Sequence, residues 1–275
     1  MDSQTLPSEF QLGFIGAGKL AGSVIRGLIL QGFCPPTHII ASEPNHEVRD
    51  RLVNETGISA TAENVEVAAK AHIFFIGVKP GVVLPVLREL APHLSGKLVI
   101  SLAAGIRLAS MEKAAKARFM RALTNTPSAI GKAATAIARG SRSTHGDVEI
   151  AKKIFDAIGV AVEVDEKHID AVTALAGSGP AFVYTVIEAL AEGGKKCGLP
   201  EHVANSLAAQ TVLGATELTI QSKLTPDQLR KMVVTPGGTT AAGLAEMQRL
   251  HTVEGLIAAV VAAAKRGREM AEVNL

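Results

Sequence analysis

The stretch GFIGAGKLAGSVIRG at residues 13–27 decides the fold of the first half of the chain. Its apolar beginning predicts a buried strand, and the segment from residue 19 predicts a helix. Gly16 permits a tight turn between them, Gly18 lets the backbone approach a ligand, and Ala21 lets the helix pack closely on the sheet. The helix N-terminus offers free N–H groups to phosphate. The stretch therefore predicts a dinucleotide site, the alternative being a strand-to-helix turn with incidental glycines.

Short apolar runs alternate with helical segments from residue 11 to about residue 165. The runs LGFIG, HIIAS, HIFFIGV, KLVISLAAG, RFMRALTN, TAIARG and AVEVDE are predicted strands. Helical spacing lies between several of them, at 19–31, 64–71, 80–91 and 147–158. Near-continuous apolar strands separated by helices predict a mostly parallel sheet covered on both faces, with room for an antiparallel edge among the last strands.

After residue 168 the strand-like runs stop. Segments rich in Ala, Leu and Glu are predicted helices at 169–196, 202–221, 225–232, 240–250 and 253–272. Val183, Val186, Ile187 and Leu190 follow the three-and-four spacing of an amphipathic helix. The predicted fold class is thus α/β followed by all-α, with domains at 1–165 and 166–275. Helices this apolar also predict a homodimer.

Composition narrows the possible partners. The 28 basic and 26 acidic residues leave a net charge of +2 without a long like-charge run, which argues against nucleic acid. The two cysteines and eight scattered histidines show no metal-ligand spacing, so no metal is expected. The first residues lack the features of a signal peptide, and the apolar stretch 255–264 is too short to cross a bilayer. A cytoplasmic protein without a membrane partner is expected.

Residues at the ends of other predicted strands extend the candidate dinucleotide site. Ser42 and Glu43 end the second strand, where an acidic side chain commonly binds the ribose hydroxyls and favours NADH over NADPH. Glu43 is equally compatible with a solvated turn. Lys79 ends the third main strand, and small residues follow the next one, at 103–105. Ligands of open α/β sheets bind beyond such carboxyl ends, although Lys79 is also compatible with a surface lysine.

Two clusters of glycine and hydroxyl residues mark the helical half, AGSGPA at 176–181 and VTPGGTTAAG at 234–243. In the second cluster Thr239 and Thr240 follow Gly237 and Gly238 and are predicted N-caps of the next helix. A helix start with free N–H donors and hydroxyls suits a small carboxylate. A close helix crossing or an isolated turn would explain the same glycines.

Taken in order, these motifs resemble those of the pyrroline-5-carboxylate reductase family. The resemblance runs over nearly the whole chain, through LGFIGAGKLA, VKP, SLAAGI, RALTNTP, DAVTALAGSGPAF, EALAEGGKKCGLP, AAQTVLGA and VVTPGGTTAAGL. It implies an N-terminal Rossmann-type doubly wound sheet and a C-terminal helical dimerisation domain, with dimers that often assemble further. It also implies hydride transfer from NADPH or NADH to the C=N bond of 1-pyrroline-5-carboxylate, giving L-proline.

The resemblance also implies the residues of the site. The cofactor-binding positions, including Ser42 and Glu43 from the strand ends, are Ile15, Gly16, Ala17, Gly18, Lys19, Leu20, Ala21, Ser42, Glu43, Asn64, Val78, Lys79, Pro80, Ala103, Ala104 and Gly105. The substrate-binding positions that it implies are Glu166, Ser178, Thr235, Thr239 and Thr240. Gly177, Gly179 and Gly238 join them because backbone N–H groups around these glycines are expected to bind the carboxylate. Thr240 is expected to be catalytic by holding the substrate nitrogen. Ala176 departs from the usual serine, and Lys231–Met232 depart from the common Asp–Asn.

Two other functions share parts of this pattern. A β-hydroxyacid dehydrogenase has a similar domain plan but places a catalytic lysine four residues before an asparagine, whereas Lys195 and Lys196 are followed four residues later by Leu199 and Pro200. A catalytically silent dinucleotide-binding regulator is the second alternative. The intact substrate-side clusters argue against it.

Overall fold

The computed structural model describes residues 11–273, with side chains described to residue 271. The chain forms two compact units, one of residues up to 178 together with residues from 261 onward, and one of residues 179–260. The predicted domain boundary at 165/166 stays a prediction. Residues just after it belong to the first unit because Ile169 and Ala174 are fully buried there.

The first unit is built on an eight-stranded sheet in the order β3-β2-β1-β4-β5-β6-β7-β8. The strands are β1 Leu12–Ile15, β2 Ile39–Ser42, β3 Ser59–Thr61, β4 Ile73–Ile76, β5 Leu98–Ser101, β6 Arg118–Leu123, β7 Ala133–Arg139 and β8 Gly159–Glu163. Neighbours are parallel from β3 through β6, β7 is antiparallel to β6, and β8 is parallel to β7. The predicted parallel sheet with an antiparallel edge is confirmed.

Helices cover both faces of this sheet. They are α1 Lys19–Leu30, α2 His46–Thr56, α3 Asn64–Lys70, α4 Pro80–Leu94, α5 Leu108–Ala114, α6 His145–Asp156 and the short α7 Ile169–Val172. Strand side chains alternate between two apolar cores, so that Phe14 joins one core and Ile15 the other. In the first core the rings of Phe14 and Phe75 stack with centroids 4.5 Å apart. Burial on both faces explains the near-continuous apolar strands.

The second unit contains α8 Gly179–Lys196, α9 Glu201–Gln221, α10 Pro226–Met232, α11 Thr239–Arg249 and the first part of α12 Thr252–Val273. Its buried core is small, consisting of Ala191, Ala204 and Ala208, with Ile187 packed against them. Many large apolar side chains are exposed in this unit, among them Val183, Leu190, Leu207, Leu213, Leu218, Leu256 and Ile257. Apolar surface of this extent marks an interaction face.

One segment of the described residues, Glu166–Lys196, is long and apolar enough to cross a membrane by length and composition, and little of it is buried. The expectation that the protein has no membrane partner rested on the apolar stretch 255–264, which is a different segment. Its apolar side chains include the predicted stripe, of which Val183 and Leu190 are exposed while Val186 and Ile187 are half-buried. The chain thus has an apolar helix face that the described residues leave largely uncovered.

Candidate functional site

The turn between β1 and α1 has the geometry that its glycines predict. Gly16 lies in the left-handed region at φ +82°, and a Cβ there would lie 2.7 Å from the Val78 Cγ1 atom. Its N–H donates to the Ser42 carbonyl at 3.0 Å. On the other side of the turn, a Cβ at Gly77 would lie 2.7 Å from the Ala21 Cβ. Two strand ends and the helix therefore meet in a space that only small residues allow.

Gly18 is the N-cap of α1 and faces open space. It supplies no capping side chain and no acidic residue lies in the first turn. Apart from its chain neighbours, no described residue has a heavy atom within 4 Å of a Cβ built on Gly18. The first intrahelical bond near it runs from the Gly22 N–H to the Gly18 carbonyl at 2.8 Å. The N–H groups that precede that bond have no partner within the helix, so this end of α1 fits a phosphate group.

A cleft of about 540 Å³ opens at the carboxyl ends of β1, β4, β5 and β6. It brings together ten of the residues singled out in the sequence: Gly18, Lys19, Leu20, Val78, Lys79, Pro80, Ala103, Ala104, Gly177 and Ser178. Gly105 lines a smaller cavity that shares Ala104 and Ser178 with this cleft. Phosphate-side and substrate-side candidates thus border one space within the first unit.

Sequence reasoning missed a group of residues in the same cleft, namely Leu102, Leu123, Thr124, Asn125, Thr126 and Thr173. Four of these follow or end β6, whose carboxyl end lies at the same edge as those of β4 and β5 because these strands are parallel. The predicted strand RFMRALTN already contained this signal, since its last residues had to reach that edge.

A second cleft, of about 610 Å³, adjoins the phosphate turn and contains Glu43. It also holds Asn45, Arg26 and Arg51, which were not singled out in the sequence as cofactor-binding residues. The Glu43 carboxylate accepts the Asn45 N–H at 3.1 Å, and Arg26 pairs with Glu55, Nε to Oε2, at 2.6 Å. This end of the site therefore presents the Glu43 carboxylate beside Arg51 and beside Arg26, whose charge Glu55 already balances.

Ser42 and Asn64 support the site from beneath and do not line either cleft. The fully buried Ser42 donates its hydroxyl proton to Asn64 Oδ1 at 2.8 Å. This bond ties the end of β2 to the start of α3. Neither side chain is brought to the cofactor-sized space, and a cofactor contact for them stays a prediction.

Glu166 belongs to a partly buried cluster of charged side chains, apart from the other substrate-side candidates. Its Oε1 atom accepts the Leu108 N–H at 2.7 Å and Arg121 Nη1 at 3.2 Å, and it lines another cavity, beside Arg139. Arg121 is fully buried, and burial lowers its pKa while Glu166 opposes that shift. One helical turn on, Asp170 pairs with Arg107 at 3.1 Å. A substrate contact for Glu166 stays a prediction.

The remaining substrate-side candidates lie in the second unit, where Gly179 begins α8. The turn before α11 closes from the Gly238 N–H to the Thr235 carbonyl at 3.0 Å, with Gly237 at φ +73°. Gly238 is the N-cap, so the predicted N-cap role of Thr239 and Thr240 is wrong. The extended backbone of Gly238 starts the helix one residue earlier. Within the described residues, the Thr240 hydroxyl makes no hydrogen bond.

These features define a class of protein. A parallel sheet with a glycine turn at the N-terminus of its first helix, and a cleft over the strand ends, is the architecture of a dinucleotide-dependent oxidoreductase. The small residues Ala103 and Ala104 leave room for a flat ring, and the nearby hydroxyl residues suit a small polar substrate.

Comparison with known proteins agrees with this class. Residues 166–270 match the family described as pyrroline-5-carboxylate reductase dimerisation, and residues 11–105 match NADP oxidoreductase, coenzyme F420-dependent. Pyrroline-5-carboxylate reductase of Arabidopsis thaliana is 40% identical over 275 residues, covering 99% of this chain and 100% of the relative. The solved reductase of Coxiella burnetii is 32% identical, with a TM-score of 0.87 over 96% of this chain and 99% of its own.

A further solved structure contains the expected cofactor type. The pyrroline carboxylate reductase of Plasmodium falciparum, solved with NADP bound, is 28% identical with a TM-score of 0.87, over 95% of this chain and 98% of its own. The chain belongs to the pyrroline-5-carboxylate reductase family. It is an NAD(P)H-dependent oxidoreductase of proline biosynthesis that forms a homodimer, and the fold class and reductase function predicted from the sequence are confirmed.

Cofactor choice is tested at Glu43. Glu43→Ser should raise the NADPH/NADH ratio of kcat/KM about tenfold or more, because a charge-assisted hydrogen bond to the ribose is worth roughly 1.5–3 kcal/mol and the carboxylate repels a 2′-phosphate. Arg51, which borders the same cleft, remains to meet that phosphate. Initial rates with both cofactors measure the ratio. Glu47→Ser removes the same charge from an exposed position nearby and serves as the control. An unchanged ratio in Glu43→Ser would show that Glu43 does not contact the ribose.

Proposed function

We propose that the chain reduces the C=N bond of 1-pyrroline-5-carboxylate with NADPH or NADH, giving L-proline, in the cleft over β4, β5 and β6. The observation that supports this most strongly is the shared lining of that cleft. The phosphate turn at Gly18, the small residues after β5 and the hydroxyl of Ser178 border one space of about 540 Å³. A nicotinamide ring and a small cyclic imine fit such a volume.

The cofactor-binding residues proposed here follow from that geometry. The free N–H groups of α1 receive the pyrophosphate, and residues 15–21 shape the turn that presents them. Val78, Lys79, Pro80 and Ala103 to Gly105, which line this cleft and the cavity next to it, would hold the nicotinamide ring. When bound, the reduced nicotinamide supplies the hydride. Glu43 with Ser42 and Asn64 beneath it belongs to the adenosine end.

The substrate carries a carboxylate and a ring nitrogen, which need different partners. In this proposal, backbone N–H groups around Gly177 and Ser178 in the first unit bind the substrate carboxylate. Glu166 is a further substrate-binding candidate in the first unit, and Gly179, Thr235, Gly238 and Thr239 are further candidates in the second. The Thr240 hydroxyl holds the iminium nitrogen. As hydride reaches the ring carbon, the C=N electron pair passes to nitrogen and leaves a secondary amine. Since the nitrogen already carries its proton, positioning supplies most of the catalysis.

The assembly proposed here explains the apolar face of the second unit. A second copy of the chain covers α8 and its neighbours, and no lipid is needed for the segment Glu166–Lys196. We also expect the dimers to associate into larger oligomers, and the molecular mass of the protein in solution measures the size of the assembly. A cytoplasmic location agrees with two cysteines that form no disulfide, Cys34 being buried with its thiol pKa raised to about 11.

Turnover is the direct test of the reaction. The purified chain should oxidise NADPH or NADH only when 1-pyrroline-5-carboxylate is present, and proline should appear in equal amount. A β-hydroxyacid substrate is the control for the rival reductase. A folded sample that binds a dinucleotide but shows no turnover with either cofactor would support the silent regulator and contradict this proposal.

Thr240 is tested by deleting its hydroxyl while keeping its shape. Thr240→Val should lower kcat/KM for 1-pyrroline-5-carboxylate by about ten- to a hundredfold, roughly 1.4–2.7 kcal/mol of transition-state stabilisation. Because Gly238 is the helix cap, the free energy of unfolding should change by less than about 0.5 kcal/mol. Thr240→Ser should recover most of the activity. A Thr240→Val variant with wild-type kcat/KM would assign the nitrogen contact to another group.

A further inference from the structure

A π-helical turn, Thr173–Gly177, separates α7 from the residues that lead into α8. It is closed by the Ser178 N–H donating to the Thr173 carbonyl at 2.9 Å, five residues back instead of the usual four. Such turns are rare, and they occur frequently at functional sites. Here the turn brings Thr173, Gly177 and Ser178 to the lining of the cleft.

The start of this segment is held by charge. Glu166 contacts Arg121, and Asp170 contacts Arg107, so two acidic side chains one helical turn apart attach the chain to the sheet and to the start of α5. Both contacts precede the π-turn. These ion pairs hold the beginning of the segment in place. The backbone carbonyl groups of its later residues need hydrogen-bond donors from elsewhere.

Asn125 supplies a partner at the later end. This side chain follows β6 by two residues and is 8% exposed. Its Oδ1 atom accepts the Ala134 N–H at 3.1 Å, and its Nδ2 atom donates to the Ala176 carbonyl at 3.1 Å. Because the Ala134 backbone amide can only donate, the side chain must point its oxygen there and its amino group at the turn. One amide thus joins the start of β7 to the π-turn.

We propose that Asn125 is a positioning residue for the reduction, which holds the π-turn so that Gly177 and Ser178 face the substrate. Asn125 acts through the turn, although its own side chain also borders the cleft. The inference rests on the proposed substrate role of Gly177 and Ser178. It assigns a function to the asparagine of the RALTNTP motif that neither the dinucleotide turn nor the glycine clusters explain.

Asn125→Asp tests the inference with little change in size. The carboxylate still accepts the Ala134 N–H but cannot donate to Ala176, so two acceptors face each other. At about pH 8, kcat/KM for 1-pyrroline-5-carboxylate should fall about ten- to a hundredfold, while the Kd of NADPH, measured by fluorescence, should stay within about twofold. If Asn125 instead binds the cofactor directly, the Kd of NADPH will rise in parallel with the loss of turnover, and the inference fails.

The pH dependence separates positioning from a general loss of structure. In the Asn125→Asp variant, the introduced carboxyl group can donate to Ala176 once it is protonated, and burial beside a carbonyl favours the protonated form. The ratio of variant to wild-type kcat/KM should therefore rise at least severalfold between about pH 8 and about pH 6. Lys19 and Lys79 are the charged side chains that border the same cleft, and the ratio cancels the titration of the substrate. A ratio independent of pH would contradict the inference.

Asp156→Asn is the matched control. Asp156 lies at the end of α6, outside the cleft, and its Oδ1 atom accepts the Ala161 N–H at 2.7 Å. Asp156→Asn replaces a carboxylate with an amide of the same size, the reverse of the change in Asn125→Asp. Its kcat/KM should equal the wild-type value at every pH. Asn125→Ala combined with Ser178→Ala gives a second measurement that does not depend on the Asn125→Asp variant folding.

If Asn125 acts through the turn, the double variant will lose less kcat/KM than the product of the losses in Asn125→Ala and Ser178→Ala. Independent, multiplying losses would overturn the inference. Ser178→Ala with wild-type kcat/KM would instead remove the proposed substrate contact at Ser178, an outcome distinct from any behaviour of Asn125→Asp.

Discussion

The ends of β1 and β4 approach each other closely at Gly16, and the position of the whole site follows from this approach. A side chain at Gly16 would meet Val78, and a side chain at Gly77 would meet the Gly16 carbonyl at 2.6 Å. Because both positions are glycine, β1 and β4 can deliver their following loops to one point. The N-terminus of α1 then lies beside Val78 and Lys79, and the phosphate turn and the ring side of the cleft become parts of one site.

Two features near the site are less stable than the alternatives would be, but they position its residues. Arg121 is fully buried, yet its Nε and Nη2 atoms have no hydrogen-bond partner among the described residues. A buried ion pair contributes little net stability compared with an apolar replacement. The π-turn is likewise less regular than an α-helix would be. The π-turn lies in the segment that brings Thr173 and Ser178 to the cleft, and Arg121 attaches that segment to the sheet. Local departures from the most stable packing and helix geometry are expected at functional sites.

Much of the fold could be predicted because its signals are local. Apolar runs between helices indicated the parallel sheet, and the turn at Gly16 follows from the conformational freedom of glycine. The strand β3 was missed because it has three residues and none of them is buried. The helix α2 was missed because few of its residues are apolar, although Asn45 caps it by accepting the Val48 N–H at 3.1 Å.

The candidate site was less predictable because its remaining contacts join residues far apart in the chain. No local pattern in RALTNTP indicates that Asn125 reaches Ala176, or that Glu166 is held by Arg121. The cap before α11 was misplaced by one residue because threonine is the better capping side chain in general, whereas here the conformation of Gly237 and Gly238 determines where the helix begins. Long-range packing, which sequence spacing does not encode, decides these details.

The affinity of a Gly18→Val variant for NADPH and NADH measures whether the start of α1 binds the dinucleotide. Apart from its chain neighbours, no described residue lies within 4 Å of a Cβ at Gly18, so the free energy of unfolding should fall by no more than about 1 kcal/mol, the cost of a poorer helix cap. If the start of α1 binds the pyrophosphate, the Kd of both dinucleotides should rise more than about tenfold, a change of about 1.4 kcal/mol in binding. A stable variant that binds both dinucleotides as tightly as the wild type would contradict the account.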